Sequence, residues 1–196
     1  EKYNVAVIED SPYRQIRFEG TEPKMLYRLD QDGKQTHNIV SLFTFSKTFA
    51  PGLRLGIILG HPQIIKKMEI LKQSLDLCTS SLNQLIAAEF LRTGFFEQHI
   101  EVVKKDYRIK KNAMVSALEK YMPEGVTWTN PEGGLFLWVE LPDGLSGEVL
   151  FPRAIEERVA FVPGGSFFAD RPRHEFIRLN FSNRPPALIE EGIRRL

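Results

Sequence analysis

The feature that most restricts what this chain can fold into is the unbroken apolar run Val5-Ala6-Val7-Ile8, which stops at Glu9-Asp10-Ser11-Pro12. A short run without polar alternation is the pattern of a strand buried on both faces, as inside a parallel sheet covered by helices. Ligands bind such sheets outside the C-terminal ends of their strands, so the run delivers acidic and hydroxyl groups to a useful edge. A second run, 39–45, leads into Ser46-Lys47, and a third, 53–59, follows the Ala50-Pro51-Gly52 turn. The third lies too close behind the second for a helical crossover and is expected to run antiparallel to a neighbour. Three strands should therefore converge near Asp10, Lys47 and Arg54. Between the first two runs, 14–37 carries Gly20, Pro23 and Asp32-Gly33 among scattered charges and reads as a long irregular connection with a turn.

Helical spacing follows. Ile64, Ile65, Met68 and Leu71 repeat at three to four residues, as do Leu82, Leu85, Ile86 and Phe90 behind a cap at Ser80 or Ser81. Ile100, Val103, Tyr107, Met114, Leu118 and Tyr121 extend the period through a long helix that stops at Pro123 and is suited to connecting two lobes. Beyond it the pattern becomes short strands at 135–141, 160–162 and 176–181 with a helix at about 147–158, an α+β lobe. The final segment begins Pro185-Pro186, aligns Leu188, Ile189, Ile193 and Leu196, and ends without a capping residue. The chain also opens directly before a buried strand, with too few parallel partners to cover it. A large upstream portion is expected outside this stretch, and the last helix is expected to be cut.

The 26 Lys and Arg against 25 Asp and Glu form no long block of one sign, which names no nucleic-acid partner. No apolar run approaches the roughly 20 residues a bilayer crossing needs, so no membrane span is expected. The single cysteine, Cys78, and the lack of signal-peptide regions in Glu1-Lys2-Tyr3-Asn4 point to a reducing, cytoplasmic setting. His37, His61, His99 and His174 lie far apart and none pairs with Cys78 at ligand spacing, so no metal is expected. Phosphate-loop, dinucleotide and nucleophile-elbow motifs do not occur.

The chemistry sits in Thr44-Phe45-Ser46-Lys47 followed by Pro51-Gly52-Leu53-Arg54, where an amine, two hydroxyls and a guanidinium share one short stretch. A lysine amine forms a Schiff base with an aldehyde, and hydroxyls with an arginine hold a dianionic phosphate by charge-assisted hydrogen bonds. Taken alone, the string is equally an exposed lysine in a polar loop. Asp10-Ser11-Pro12-Tyr13 offers a carboxylate for a pyridine nitrogen and a phenol for a ring oxygen; alone, it is equally a turn after a strand.

Together these strings resemble the class I/II aminotransferases related to aspartate aminotransferase, where Asp-x-[Ala/Pro]-Tyr, Ser/Thr-x-Ser-Lys and a nearby Arg recur in this order. The resemblance implies pyridoxal 5'-phosphate (PLP) as cofactor. Lys47 would be the Schiff-base lysine, Asp10 the partner of the pyridine nitrogen, Tyr13 that of the ring hydroxyl, and Thr44, Ser46 and Arg54 the phosphate cradle. Asn130-Pro131-Glu132-Gly133-Gly134-Leu135-Phe136-Leu137-Trp138 resembles the family's small-domain strand, and Arg178 in Phe176-Ile177-Arg178-Leu179-Asn180-Phe181-Ser182 its substrate-carboxylate arginine. A planar guanidinium grips a carboxylate bidentately, but strand alternation leaves Arg178 equally free to point inward or outward. Glu9-Asp10-Ser11-Pro12-Tyr13 and Phe161-Val162-Pro163-Gly164-Gly165-Ser166-Phe167 are most similar to the aminoadipate, kynurenine and aromatic aminotransferases. Phe167 and Phe168 would line a substrate pocket or pack in the core.

The implied fold is α/β: part of the PLP-dependent transferase large domain, a mainly parallel sheet with helices, over 1–112, and a small C-terminal α+β domain over 113–196, truncated in its last helix. The implied reaction moves an amino group between an amino acid and a 2-oxo acid, in a homodimer. This stretch alone is expected to be inactive, because family groups that complete the site lie upstream. A lyase or decarboxylase reaction on the same fold is the first alternative. The aminotransferase-like effector domain of a transcriptional regulator is the second.

Overall fold

The computed structural model describes residues 3, 5–33 and 37–196. Residues 1, 2 and 4, on which the signal-peptide expectation partly rests, and 34–36 of the connection before the second strand lie outside the described residues. The chain divides into two compact units, Glu1–Val103 and Lys104–Leu196. This division and the one expected at 112/113 both fall inside one long helix, α4 (Phe95–Tyr121).

The first unit is built on a three-stranded sheet in the order β1-β2-β3. Strand β1 (Val7–Asp10) pairs parallel with β2 (Ile39–Thr44), and β3 (Gly56–Leu59) returns antiparallel to β2, as the short connection requires. Gly56 is needed at that return, because a Cβ there would come within 2.8 Å of the Phe43 carbonyl oxygen. The first strand differs from expectation in its span. It starts two residues later, so Glu9 and Asp10 belong to it, opposite Ser41 and Leu42. Its apolar side chains are exposed, Val7 by 40% and Ile8 by 66%, in keeping with the expectation that this stretch alone does not cover the strand.

The connection read as irregular contains a seven-residue helix, α1 (Leu26–Asp32). Its N-cap, Met25, makes no side-chain capping bond. The cap comes from another element: the Glu9 carboxylate accepts the Leu26 amide hydrogen at 3.1 Å. A tertiary cap on two turns of helix leaves no local signal to read. Helices α2 (Pro62–Asp76) and α3 (Ser81–Arg92) match their spacing, and Ser80 caps α3 by accepting from the Asn83 amide at 3.4 Å.

The second unit holds a four-stranded antiparallel sheet in the order β4-β5-β7-β6, formed by β4 (Thr127–Trp128), β5 (Phe136–Glu140), β6 (Val162–Pro163) and β7 (Phe176–Asn180). The two-residue β4 is too short to show a period. Leu137, Val139, Ile177 and Leu179 alternate onto one buried face of β5 and β7, and Leu118, Phe181, Ile189 and Ile193 are buried with them. Helices α5 (Gly147–Glu156) and α6 (Pro186–Arg195) complete the unit. No described helix is long and apolar enough to cross a membrane.

Candidate functional site

Lys47 lies in the turn that leaves β2, and the turn is fixed on both sides. Its backbone closes through Phe49 and Ala50 amides donating to the Phe45 carbonyl at 2.9 and 3.0 Å, and the Phe45 amide donates to Leu55 O at 3.1 Å. The buried Thr48 hydroxyl donates back to Thr44 O at 3.3 Å. Flanking rings anchor it further: Phe49 stacks on Phe90 of α3 at 4.1 Å, and Phe45 meets Phe96 edge-on at 6.3 Å. Lys47 itself is exposed, and no described group bonds its amine. A rigid base carrying an uncommitted amine suits a lysine that reacts rather than one that braces the fold.

Arg54 approaches the same turn from the β3 side. It ends the 3-10 turn Pro51–Leu53 in the left-handed region, at φ 52° and ψ 44°. That conformation costs a side-chain-bearing residue about 1–2 kcal/mol that glycine would avoid. Its Nη1 donates to Ser46 Oγ at 3.4 Å and to Pro51 O at 3.2 Å. The remaining guanidinium hydrogens and the Ser46 hydroxyl hydrogen have no described acceptor. Thr44 differs, because its hydroxyl donates to Leu55 O at 3.3 Å and accepts from the Ser46 amide at 3.1 Å. Ser46 and Arg54 thus keep uncommitted donors of the kind a phosphate needs, Ser46 next in sequence to the uncommitted Lys47 amine, whereas the Thr44 hydroxyl is engaged with Leu55.

Asp10 closes β1 at the same edge of the sheet, opposite Leu42 and two residues short of Thr44's level. Its carboxylate is exposed and has no described partner. Tyr13 sits half-buried in the following turn, which the Ile16 amide closes onto its carbonyl at 2.9 Å. Alternation turns the neighbouring Glu9 to the opposite face, where it accepts from the buried Ser41 hydroxyl at 2.7 Å and lies 3.9 Å from Arg14. Burial pushes the Glu9 carboxyl upward, but the Ser41 hydroxyl, the Leu26 and Tyr27 amides and Arg14 together bring it below its usual value. Arg14 is itself held by Glu22 at 2.6 Å and by the Pro23 carbonyl. Glu9 thus ties β1, β2, the turn at 12–15 and α1 together one residue from Asp10.

In the second unit, Arg178 of β7 lies opposite Trp138 on one side and Val162 on the other, on the face away from the buried leucines and isoleucine. Its guanidinium carbon is 4.2 Å from the centre of the Phe136 ring and 4.4 Å from that of Phe167. Trp138 stacks on Phe176 at 5.4 Å and meets Phe167 edge-on at 5.6 Å. Phe168 is half-buried against Trp138 and Phe176, a packing position, whereas Phe167 is 48% exposed.

Asp10, Thr44, Ser46, Lys47 and Arg54 are thus brought to one sheet edge, with Tyr13 in the adjoining turn, and Arg178 lies in the other unit. Sequence reasoning missed Thr48, Glu9 with Ser41, and the rings on Arg178. A buried threonine leaves no periodic mark, and the Glu9–Ser41 pair needs the strand register. Among the described residues no group of three His, Cys, Asp or Glu is placed to hold a metal.

Comparison with known proteins gives a consistent picture. The family model for aminotransferase class I and II matches residues 1–196. The chain is 42% identical over 195 residues to aromatic-amino-acid aminotransferase 1 of Thermococcus litoralis, covering 100% of this chain and 46% of that protein. It superposes with a TM-score of 0.93 and 40% identity on LysN, the α-aminoadipate aminotransferase of Thermus thermophilus, solved with N-(5'-phosphopyridoxyl)-L-leucine, over 99% of this chain and 49% of that one. For Pyrococcus horikoshii kynurenine aminotransferase the TM-score is 0.92 at 45% identity, over 99% and 47%. The chain therefore spans about half the length of the proteins it matches.

Proposed function

The chain belongs to the class I and II aminotransferases, and on that footing we propose that the whole protein moves an amino group between an amino acid and a 2-oxo acid, with PLP held on Lys47. The observation that carries the reading is the uncommitted Lys47 amine on a braced turn, beside the Ser46–Arg54 pair and at the sheet edge where Asp10 ends β1. When bound, the cofactor supplies an aldehyde that takes up the amino group and a ring that spreads the electron pair left at Cα. The chain's own residues do the rest.

Ser46, Arg54 and Thr44 hold the phosphate, with two charge-assisted contacts possible from the Arg54 fork alone. Asp10 would pair with the ring nitrogen and favour its protonated form, and Tyr13 would donate to the ring oxygen. Lys47, as a free amine, would be the base that takes the Cα proton. Arg178 takes the substrate α-carboxylate, the one group an amino acid and its 2-oxo acid share. Residues 1–112 are assigned to the large domain and 113–196 to the small one. The family resemblance supports a homodimer, and Leu75, Leu77, Leu82 and Leu85, widely exposed around α2 and α3 in this stretch, leave apolar surface for the rest of the protein or a second copy to cover. The single cysteine supports a cytoplasmic setting.

The test is product analysis on the whole protein with PLP, an amino acid and a 2-oxo acid. Transfer requires one new amino acid per 2-oxo acid formed, with the first product released before the acceptor binds. Ammonia with a cleaved side chain, or carbon dioxide, would overturn the transfer and leave a lyase or a decarboxylase.

A further inference from the structure

Two arginines lie at the aromatic face of the second unit's sheet, and the protein treats them differently. Arg173 sits 4.4 Å from the Phe176 ring centre, and its guanidinium is spent on Glu175 at 2.7 Å and Glu140 at 3.2 Å. The Arg178 guanidinium carbon lies over both the Phe136 and the Phe167 ring, at 4.2 and 4.4 Å from their centres, and no carboxylate partner is described for it; its Nε is buried without a hydrogen-bond acceptor among the described residues. An unsatisfied charged donor is costly to bury, and a ligand held by the rest of the guanidinium is one way to offset that cost. The two rings come from separate elements. Phe136 opens β5 on the same face as Arg178, and Phe167 ends the short turn Gly165–Phe167.

That turn is built to close tolerance. The Gly164 amide donates to Phe176 O at 2.7 Å, and the Phe167 amide to Gly164 O at 3.0 Å. A Cβ on Gly164 would lie 2.5 Å from the Phe176 Cβ, so no larger residue lets the turn seat so closely on β7. Trp138 meets the Phe167 ring edge-on at 5.6 Å. The ring is thereby fixed over a guanidinium, an arrangement in which the negative face of the π system attracts the cation.

We propose that Phe136 and Phe167 are positioning residues for substrate binding, holding the Arg178 guanidinium against their rings so that its N–H edge is presented to a carboxylate ligand. The inference rests on the reading of Arg178 as the carboxylate clamp. Aromatic stacking restrains the plane of the guanidinium without consuming a donor, whereas a protein carboxylate, as at Arg173, would compete with the ligand.

The test is equilibrium binding of maleate, a rigid dicarboxylate with no apolar side chain, to the whole PLP-loaded protein, measured by calorimetry. Phe167→Leu removes the π face while keeping apolar bulk and should weaken maleate binding about fivefold; Phe167→Tyr keeps the face and should stay within about twofold of the parent. Arg178→Lys, run in parallel, should weaken binding about tenfold or more. If Arg178→Lys weakens binding and Phe167→Leu does not, or if Phe167→Tyr loses as much as Phe167→Leu, the stacking role is overturned and the clamp stands. If Arg178→Lys leaves maleate binding unchanged, both are overturned.

Discussion

Removing the Glu9 carboxylate should loosen the part of the first unit that carries Asp10, and the cost can be worked from its partners. Glu9→Ala strips the Ser41 hydroxyl of an acceptor at 2.7 Å, in a residue with no exposed surface, and leaves the first amide of α1 without its only described cap. A hydrogen bond to a charged group contributes about 1.5–3 kcal/mol and a helix cap about 1 kcal/mol. The carboxylate side chain is only 12% exposed, so part of that gain is offset by the cost of burying it. The net loss should be about 2–3 kcal/mol, and about 1 kcal/mol for Glu9→Gln, which keeps an acceptor but not the charge. Urea unfolding followed through a probe in the first unit should show midpoint shifts on the order of 1 M and 0.5 M for slopes of about 2–3 kcal/mol per molar. The pH dependence fixes the sign. The folded-state value of Glu9 lies below its usual 4.5, so its contribution is complete above the unfolded value and disappears as the pH falls through the folded one. The gap between parent and Glu9→Ala should therefore be full at pH 7 and narrow as the pH falls below 4.5 through the lowered folded-state value, leaving what a neutral carboxyl still contributes. A loss under about 0.5 kcal/mol that does not vary with pH would refute the role given to Glu9.

Two further substitutions separate site from scaffold. Arg54→Gly should relieve the left-handed strain, leaving the cofactor-free protein as stable or up to about 1 kcal/mol more stable, while cofactor dissociation rises about tenfold or more; thermal melting and spectroscopic titration read the two effects, and a parallel fall in both would mean Arg54 serves the fold. Asp10→Ala should slow α-proton exchange, followed by NMR in deuterated water, by about tenfold or more with phosphate anchoring little changed, and exchange at the parent rate would remove the electron-sink role.

What the sequence shows and hides follows from where each constraint acts. The Thr44–Lys47 and Asp10–Tyr13 strings are local, so their placement at strand ends was legible from run lengths alone. Helix α1 was not, because its cap is a carboxylate from β1 seventeen residues upstream. The span of β1 differs from the apolar run for a related reason: Glu9 and Asp10 pair with Ser41 and Leu42 of β2, where composition alone would end the strand. The direction of Arg178 was undecidable from alternation between Ile177 and Leu179. The pairing with Trp138 decided it, placing Arg178 on the face of Phe136 and Phe167. Thr48 and the Arg54 backbone became visible only with coordinates, since neither burial of one hydroxyl nor a left-handed φ is encoded in a periodic pattern.

The most direct measurement is borohydride reduction of the whole PLP-loaded protein, followed by proteolysis and mass spectrometry of the labelled peptide. The expected result is a single phosphopyridoxyl group on Lys47, and in Lys47→Ala no covalent label, with cofactor still bound non-covalently and turnover lost. A label on another lysine in the parent protein, or full turnover in Lys47→Ala, would contradict the assignment of Lys47 as the residue that carries the chemistry.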